Sequence, residues 1–232
     1  MADRVAITTA ADRTSRLADL ARHHGLVPIP LPCIEVFPAT RTVLEKARAL
    51  AVAADWLLIT SPRAVSAVWS GGGMPPAPVA SVGPATTAAI EAAGGRVQLV
   101  GDAGGQSVVR QLAHMVDGAS VFFPHATGAG ESSIAALERA GAQVSAVAVY
   151  ETRPTPPGPE PVEAAAFGSP SAVSGWLLSR LLDELEVVAA IGETTARALL
   201  EAGRAPQVVP PHPDFEDLMA RLADHLRQRS PI

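Results

Sequence analysis

The sequence predicts an α/β protein in which two similar lobes are each built on a parallel sheet. Three observations carry this. Of the 232 residues, 48% are hydrophobic but only 4% aromatic, and 18% are charged. That leaves Ala, Val and Leu to do the packing, as expected for helices laid on parallel strands. Short apolar runs alternate with helical patterns along most of the chain, which is the signature of βα units with right-handed crossovers. And the chain repeats itself. T-S-P-R-A-V-S-A-V-W at 60–69 returns as G-S-P-S-A-V-S-G-W-L at 168–177, and S-V-G-P-A-T-T-A-A-I-E-A-A-G at 81–94 returns as A-I-G-E-T-T-A-R-A-L-L-E-A-G at 190–203.

The elements follow in order. Val5–Thr8 reads as a strand and Asp12–His24 as a helix stopped by Gly25. Val27–Val36 is extended but carries Pro28, Pro30 and Pro32, which cannot donate to a ladder, so it is an edge or a connector. Arg41–Ala54 is a helix, Trp56–Thr60 a strand, and a helix runs from Ser61 to Trp69. After the breakers Gly71–Gly73 and Pro75, Pro76 and Pro78 come strands at Val79–Val82, Val97–Val100, Val121–Phe123 and Ser145–Tyr150. Helices at Ala85–Ala93, Gln106–Met115 and Glu131–Ala140 separate them. R-P-T-P-P-G-P-E-P at 153–161 reads as a stiff linker. Beyond it are strands at Ala164–Phe167, Val187–Ile191 and Gln207–Val209, and helices at Ser171–Leu178, Thr194–Ala202 and Phe215–Arg227. L-A-R-H-H-G at 20–25 echoes L-E-R-A-G at 137–141, and Glu35 echoes Glu151, so the repeat covers most of the chain. Two connectors, near Cys33–Phe37 and Tyr150–Arg153, fall at equivalent places, as two crossings between the same lobes would.

Composition removes several function classes. The net charge is −5 with no basic stripe, so no nucleic-acid footprint is expected. The single Cys33 allows neither a disulfide framework nor a Cys-based zinc site within one chain, and the six His lack metal spacing. The first ten residues do not read as a signal peptide, and no run of about 18 apolar residues exists to span a membrane. The expectation is a cytoplasmic protein. No G-x-S-x-G elbow supports a hydrolase. H-A-T-G-A-G-E-S-S at 125–133 lacks the third glycine of a dinucleotide fingerprint, and Gly101–Ser107 reads as an ordinary βα loop.

The informative feature is how helices begin. Ser61 and Ser169 each end a strand and precede Pro62 and Pro170. Serine is a favoured N-cap, and proline suits the first helical turn. Gly83-Pro84 and Gly192-Glu193-Thr194-Thr195 start two more helices after strands. Free N–H groups and the helix dipole favour anions at such starts, and an open parallel sheet gathers them at its carboxyl edge. An acidic protein can therefore receive a polyanion through local dipoles, in a cleft shared by the lobes.

T-S-P-R-A-V (60–65), V-G-P-A-T-T-A-A-I (82–90), A-V-Y-E-T (148–152), S-P-S-A-V (169–173) and I-G-E-T-T-A-R-A-L (191–199) together resemble the uroporphyrinogen-III synthase family. The resemblance implies two flavodoxin-like lobes joined by a two-stranded connector with a ligand cleft between them. One lobe is then 1–36 with 153–232, including the linker, and the other is 37–152. It implies an enzyme without metal or organic cofactor, expected as a monomer, that cyclises hydroxymethylbilane to uroporphyrinogen III with inversion of the last ring and loss of water. The substrate's eight carboxylates suit helix starts. The substrate-binding candidates are Thr60, Ser61, Arg63, Gly83, Thr86, His125, Ser169, Ser171, Gly192, Thr194 and Thr195. The tyrosine of the family's V-Y-x-T motif, proposed as proton donor, falls on Tyr150. The chain departs from the family where the first strand ends Thr8-Thr9-Ala10 instead of Thr-Arg-Pro, and where Pro124-His125-Ala126-Thr127-Gly128 carries no arginine. The alternative from another class is a two-lobed tetrapyrrole- or small-molecule-binding module that has lost catalysis.

Overall fold

The computed structural model describes residues 3–101 and 105–229. Part of the Gly101–Ser107 loop, residues 102–104, lies outside them. The elements in chain order are β1 (Arg4–Ile7), α1 (Ala11–His23), β2 (Val27–Pro30), β3 (Ile34–Pro38), α2 (Arg41–Ala53), β4 (Trp56–Ile59) and α3 (Pro62–Trp69). Next are β5 (Pro78–Val82), α4 (Gly83–Ala92), β6 (Arg96–Gly101), α5 (Gly105–Ala113), β7 (Ser120–Ala126), α6 (Glu131–Arg139) and β8 (Gln143–Pro154). The last are β9 (Ala164–Phe167), α7 (Pro170–Trp176), β10 (Val187–Ala190), α8 (Glu193–Glu201) and α9 (Phe215–Arg229). The chain divides into two compact units, Met1–Val36 with Thr152–Ile232, and Phe37–Glu151.

The first unit holds a parallel sheet in the order β10-β9-β1-β2. Both faces are covered, and strand alternation assigns the residues. Ala6, Ala165, Phe167, Val188 and Ala190 face a cluster with Trp176 of α7 and Leu199 of α8. Val5, Ile7, Ala164, Ala166, Val187 and Ala189 face Leu17 and Ala21 of α1 and Leu218 and Leu222 of α9. The alanine-rich strands β9 and β10 let the helices sit close, and burial on both faces is why these strands read as unbroken apolar runs. β2 is the sheet edge, where the N–H missing from Pro28 and Pro30 does no harm.

The second unit holds the order β3-β8-β7-β4-β5-β6. β8, β7, β4, β5 and β6 are mutually parallel. One face carries α5 and α6, through Val108, Leu112 and Leu137 against Leu58, Val121 and Phe123. α2, α3 and α4 cover the other, where Trp69 meets Phe122 edge-on at 6.5 Å. β3 and β8 each cross the division between units, at Val36/Phe37 and Glu151/Thr152. They run antiparallel, since Thr155 N donates to Cys33 O and Ala39 N to Val149 O, both at 2.9 Å.

The duplication in the sequence is a duplication of topology. By the repeat, β9 corresponds to β4, β10 to β5, and β1 to β7. The first sheet then reads β2-β1-β9-β10 where the second reads β8-β7-β4-β5. Each is the flavodoxin-like 2-1-3-4 arrangement, and the two differ in where the chain enters.

Three expectations change. Gln207–Val209 is not a strand but a single parallel bridge from Val208 to Ala189. Gln207 uses its own side-chain oxygen to accept Val188 N at 2.8 Å, and Pro210 and Pro211 have no N–H to continue a ladder. Val27–Val36 is not one extended piece; it divides at residues 31–33 into edge strands of two different sheets. The stiff linker expected at 153–161 is partly strand and partly tethered. Arg153 and Pro154 belong to β8, and Arg180, lying over the Trp176 ring at 4.5 Å, donates to Gly158 O at 3.4 Å and Glu160 O at 2.9 Å.

Candidate functional site

In the second unit, parallel pairing brings the carboxyl ends of β7, β4 and β5 and the Tyr150 region of β8 to one sheet edge. The chain leaves β7 for α6 on one face and the neighbouring β4 for α3 on the other. That divergence is the topological switch point, where open α/β sheets bind ligands. Thr60 and Ser61 follow β4. Ser61 caps α3, its Oγ accepting Arg63 N at 3.2 Å, and Pro62 occupies a position that needs no N–H. Arg63 is half-buried; its Nε is sealed from solvent and has no partner among the described residues. Beside it, α4 begins at Gly83, whose φ of 71° lies in the left-handed region. A side chain there would be strained. Thr86 is buried, so a ligand at this start meets backbone N–H groups rather than its hydroxyl.

β7 ends while paired to the middle of β8. Ala126 is in register with Tyr150, across an irregularity after His125. Thr127 donates its N–H to Tyr150 O at 2.9 Å and its hydroxyl to the same oxygen at 3.4 Å. The Tyr150 residue is nine-tenths buried, with 9% exposure. The His125 ring lies against Phe123, centroids 5.3 Å apart, and its Nδ1 is 2.8 Å from Ala126 O.

In the first unit the switch point lies between β1 and β9, followed by α1 on one face and α7 on the other. Ser169 caps α7, its Oγ accepting Ala172 N at 3.3 Å. Ser171 is half-buried in the first turn, on a helix of only 7 residues whose dipole is correspondingly small. After β10, Gly192 is extended, Thr194 is exposed, and Thr195 is buried with an Oγ1 that finds no partner among the described residues. The candidates thus gather as two rows, one on each sheet: Thr60, Ser61, Arg63, Gly83, Thr86, His125 and Tyr150 on the second unit, and Ser169, Ser171, Gly192, Thr194 and Thr195 on the first.

Sequence reasoning passed over Thr8 and Thr9 except as a departure from a motif. Thr8 Oγ1 donates to Ala166 O at 2.7 Å and so ties β1 to β9 at the switch point, while Thr9 Oγ1 is buried without a partner among the described residues. The available signal was two threonines directly after a buried strand. Cys33 plays no part in this edge chemistry. Burial pushes its thiol up to about 12, against a smaller opposing effect of Arg180. Among the described residues no group of three His, Cys, Asp or Glu could hold a metal ion.

A family model described as uroporphyrinogen-III synthase HemD matches residues 15–220. A uroporphyrinogen-III synthase of Synechococcus elongatus is 31% identical over 159 residues, which is 63% of this chain and 59% of that protein's length. In fold, the chain is similar to the uroporphyrinogen-III synthetase of Helicobacter pylori, at 18% identity and a TM-score of 0.68, covering 98% of this chain and all of that one. It is also similar to a mutant uroporphyrinogen III synthase of Thermus thermophilus, at 20% identity and a TM-score of 0.61, again covering 98% and 100%. With a family model spanning nearly the whole sequence, and both sheets ordered as a doubled flavodoxin-like protein, the chain belongs to the uroporphyrinogen-III synthase family.

Proposed function

We propose that the protein is a uroporphyrinogen-III synthase, a lyase that closes hydroxymethylbilane to uroporphyrinogen III with inversion of the last ring and release of water. The observation that carries this, beyond family membership, is the repeated switch point. Each unit presents a Ser-Pro helix start beside a Gly-led start at the carboxyl edge of its sheet. Such starts suit carboxylates, and the substrate carries eight. The chemistry asks little else. Loss of the hydroxyl gives an azafulvenium cation stabilised by the pyrrole nitrogen, so no protein nucleophile is needed. Attack by a substituted ring carbon gives a spiro intermediate that fragments and recloses. Free substrate closes without inversion, so the protein's task is to hold the bend that leads through the spiro route, which is catalysis by positioning with one proton donor. Tyr150, within β8, and His125, near the end of β7, are the two candidate donors.

In this reading the protein works as a monomer in the cytoplasm, without cofactor, nucleic acid or membrane. Among the described residues no helix is long and apolar enough to cross a membrane. The test is to generate hydroxymethylbilane in place, add the protein, oxidise, and separate the porphyrin isomers. Isomer III in excess of the protein-free control is expected. Isomer I alone, with the protein folded, refutes the synthase reading and leaves a binding module.

A further inference from the structure

We propose that His125, through Nε2, is the group that protonates the departing hydroxyl of the substrate; this rests on the synthase reading above. Four features of the ring's setting lead there. First, Ala126 O can only accept, so the 2.8 Å contact fixes the Nδ1 hydrogen on His125. The remaining nitrogen, Nε2, is then the site that takes up and gives back a proton, the arrangement used wherever a backbone carbonyl orients an imidazole. Second, Nε2 makes no hydrogen bond among the described residues and is not one of the buried orphan atoms, so it is available to a ligand. Third, the ring is seated. It lies 5.3 Å from the Phe123 ring, tilted by 36°, and Gly130 closes over both. A Cβ on Gly130 would come 2.7 Å from Phe123 Cε1 and 3.5 Å from His125 Cγ, and its φ of 97° also demands glycine. Fourth, His125 stands near the carboxyl end of β7, the strand whose divergence from β4 makes the switch point.

The neighbouring candidate, Tyr150, is less suited. Tyr150 is nine-tenths buried, whereas His125 is only half-buried and so is the more open to a ligand. Tyr150's backbone oxygen accepts both donors of Thr127, which ties the segment after β7 to the middle of β8.

The step balances. The bond between the hydroxymethyl carbon and its oxygen breaks and its electron pair leaves with oxygen. The Nε2 proton joins that oxygen to make water. The pyrrole nitrogen lone pair fills the gap, leaving the azafulvenium cation and a neutral imidazole. Closure of the last ring releases one proton, which returns to Nε2.

The test compares wild type, His125→Gln, His125→Ala and Tyr150→Phe in the isomer assay, with circular dichroism melts to establish folding. Gln keeps a donor near the Nε2 position without an acid proton. The expected result is a fall in kcat of at least about tenfold for His125→Gln at KM within about threefold. Added imidazole should raise the rate of His125→Ala but not of wild type, and Tyr150→Phe should lose less than His125→Gln. A folded His125→Gln within twofold of wild type overturns the proposal while leaving the synthase reading intact. So does a loss confined to KM with no imidazole rescue, which would make His125 a carboxylate receiver only. Wild type that makes no isomer III overturns the reading beneath it.

Discussion

Gly175 in α7 offers a direct test of how the first unit is held together. An alanine in a helix interior ordinarily gains about 1 kcal/mol over glycine. Here the added Cβ would overlap the carbonyl oxygen of Cys33 and come 2.9 Å from Thr155 O. Both obstacles are backbone, and they are tied to each other, since Cys33 O accepts Thr155 N at 2.9 Å. A flexible side chain could swing away; these two backbone segments cannot do so without breaking that bond or displacing α7 from the buried cluster around Trp176. Overpacking costs about 1–3 kcal/mol, and more where neither neighbour yields. Taking the upper figure against the propensity gain leaves a net loss of about 2 kcal/mol. At roughly 4 °C per kcal/mol for a domain of this size, Gly175→Ala should melt about 8 °C below wild type. Gly71→Ala is the control: its Cβ meets nothing within 4 Å, so a change within about 0.5 kcal/mol is expected. Differential scanning calorimetry and urea titration read both. If Gly175→Ala is as stable as wild type, the close approach of α7 to Cys33 and Thr155 is wrong, and so is the account of why glycine stands there.

Two further outcomes are expected. Ser61→Ala and Ser169→Ala each remove a cap bond, to Arg63 N and Ala172 N respectively, and should each cost about 0.5–2 kcal/mol in urea titration; an unchanged midpoint would show that neither cap matters. The Ser120 hydroxyl and N–H, donating to the Asp55 carboxylate, hold its pKa below the ordinary carboxylate value. A depressed folded pKa gives stability that is full above the unfolded pKa and lost as pH falls through the folded one. Acid titration of Asp55→Asn should therefore show a shallower loss of stability below the ordinary carboxylate pKa than wild type, and parallel curves would remove Asp55 from the acid response.

What could be read from the sequence is what local chemistry decides. Prolines at 28 and 30 remove donors, so β2 had to be an edge wherever it lay. Ser-Pro after an apolar run starts a helix in both copies, and both serines do cap. The doubling at 60–69 and 168–177 could be read because strand ends and helix starts use few residue types and recur in order. What could not be read depends on partners distant in sequence. Val27–Val36 carries no mark of its division between two sheets, because a residue's own chemistry does not say which edge it will meet. Gln207–Val209 has strand-like composition, yet the Gln207 side chain takes the N–H of Val188 that a continuing ladder would have used. Residues 155–161 look unattached until Arg180, near in space through Trp176, supplies the donors for their carbonyls.

The same division runs through the candidate site. Repeat logic pairs Ser61 with Ser169, Gly83 with Gly192 and Thr86 with Thr195, and treats the members as equals. In the folded units they are not. Ser61 reaches the second residue of an eight-residue helix, Ser169 the third of a seven-residue one. Gly83 is left-handed and Gly192 extended. Thr195 Oγ1 is buried without a partner among the described residues, whereas the hydroxyl bond at the start of α4 joins Ser81 to Thr87 at 2.8 Å. Ala190 at the end of β10 and Ala196 in α8 stand at the matching places and cannot form it. The two sheet edges are therefore equivalent in sequence position but not in what they present: an eight-residue capped helix beside a left-handed glycine on one, a seven-residue capped helix beside an extended glycine on the other.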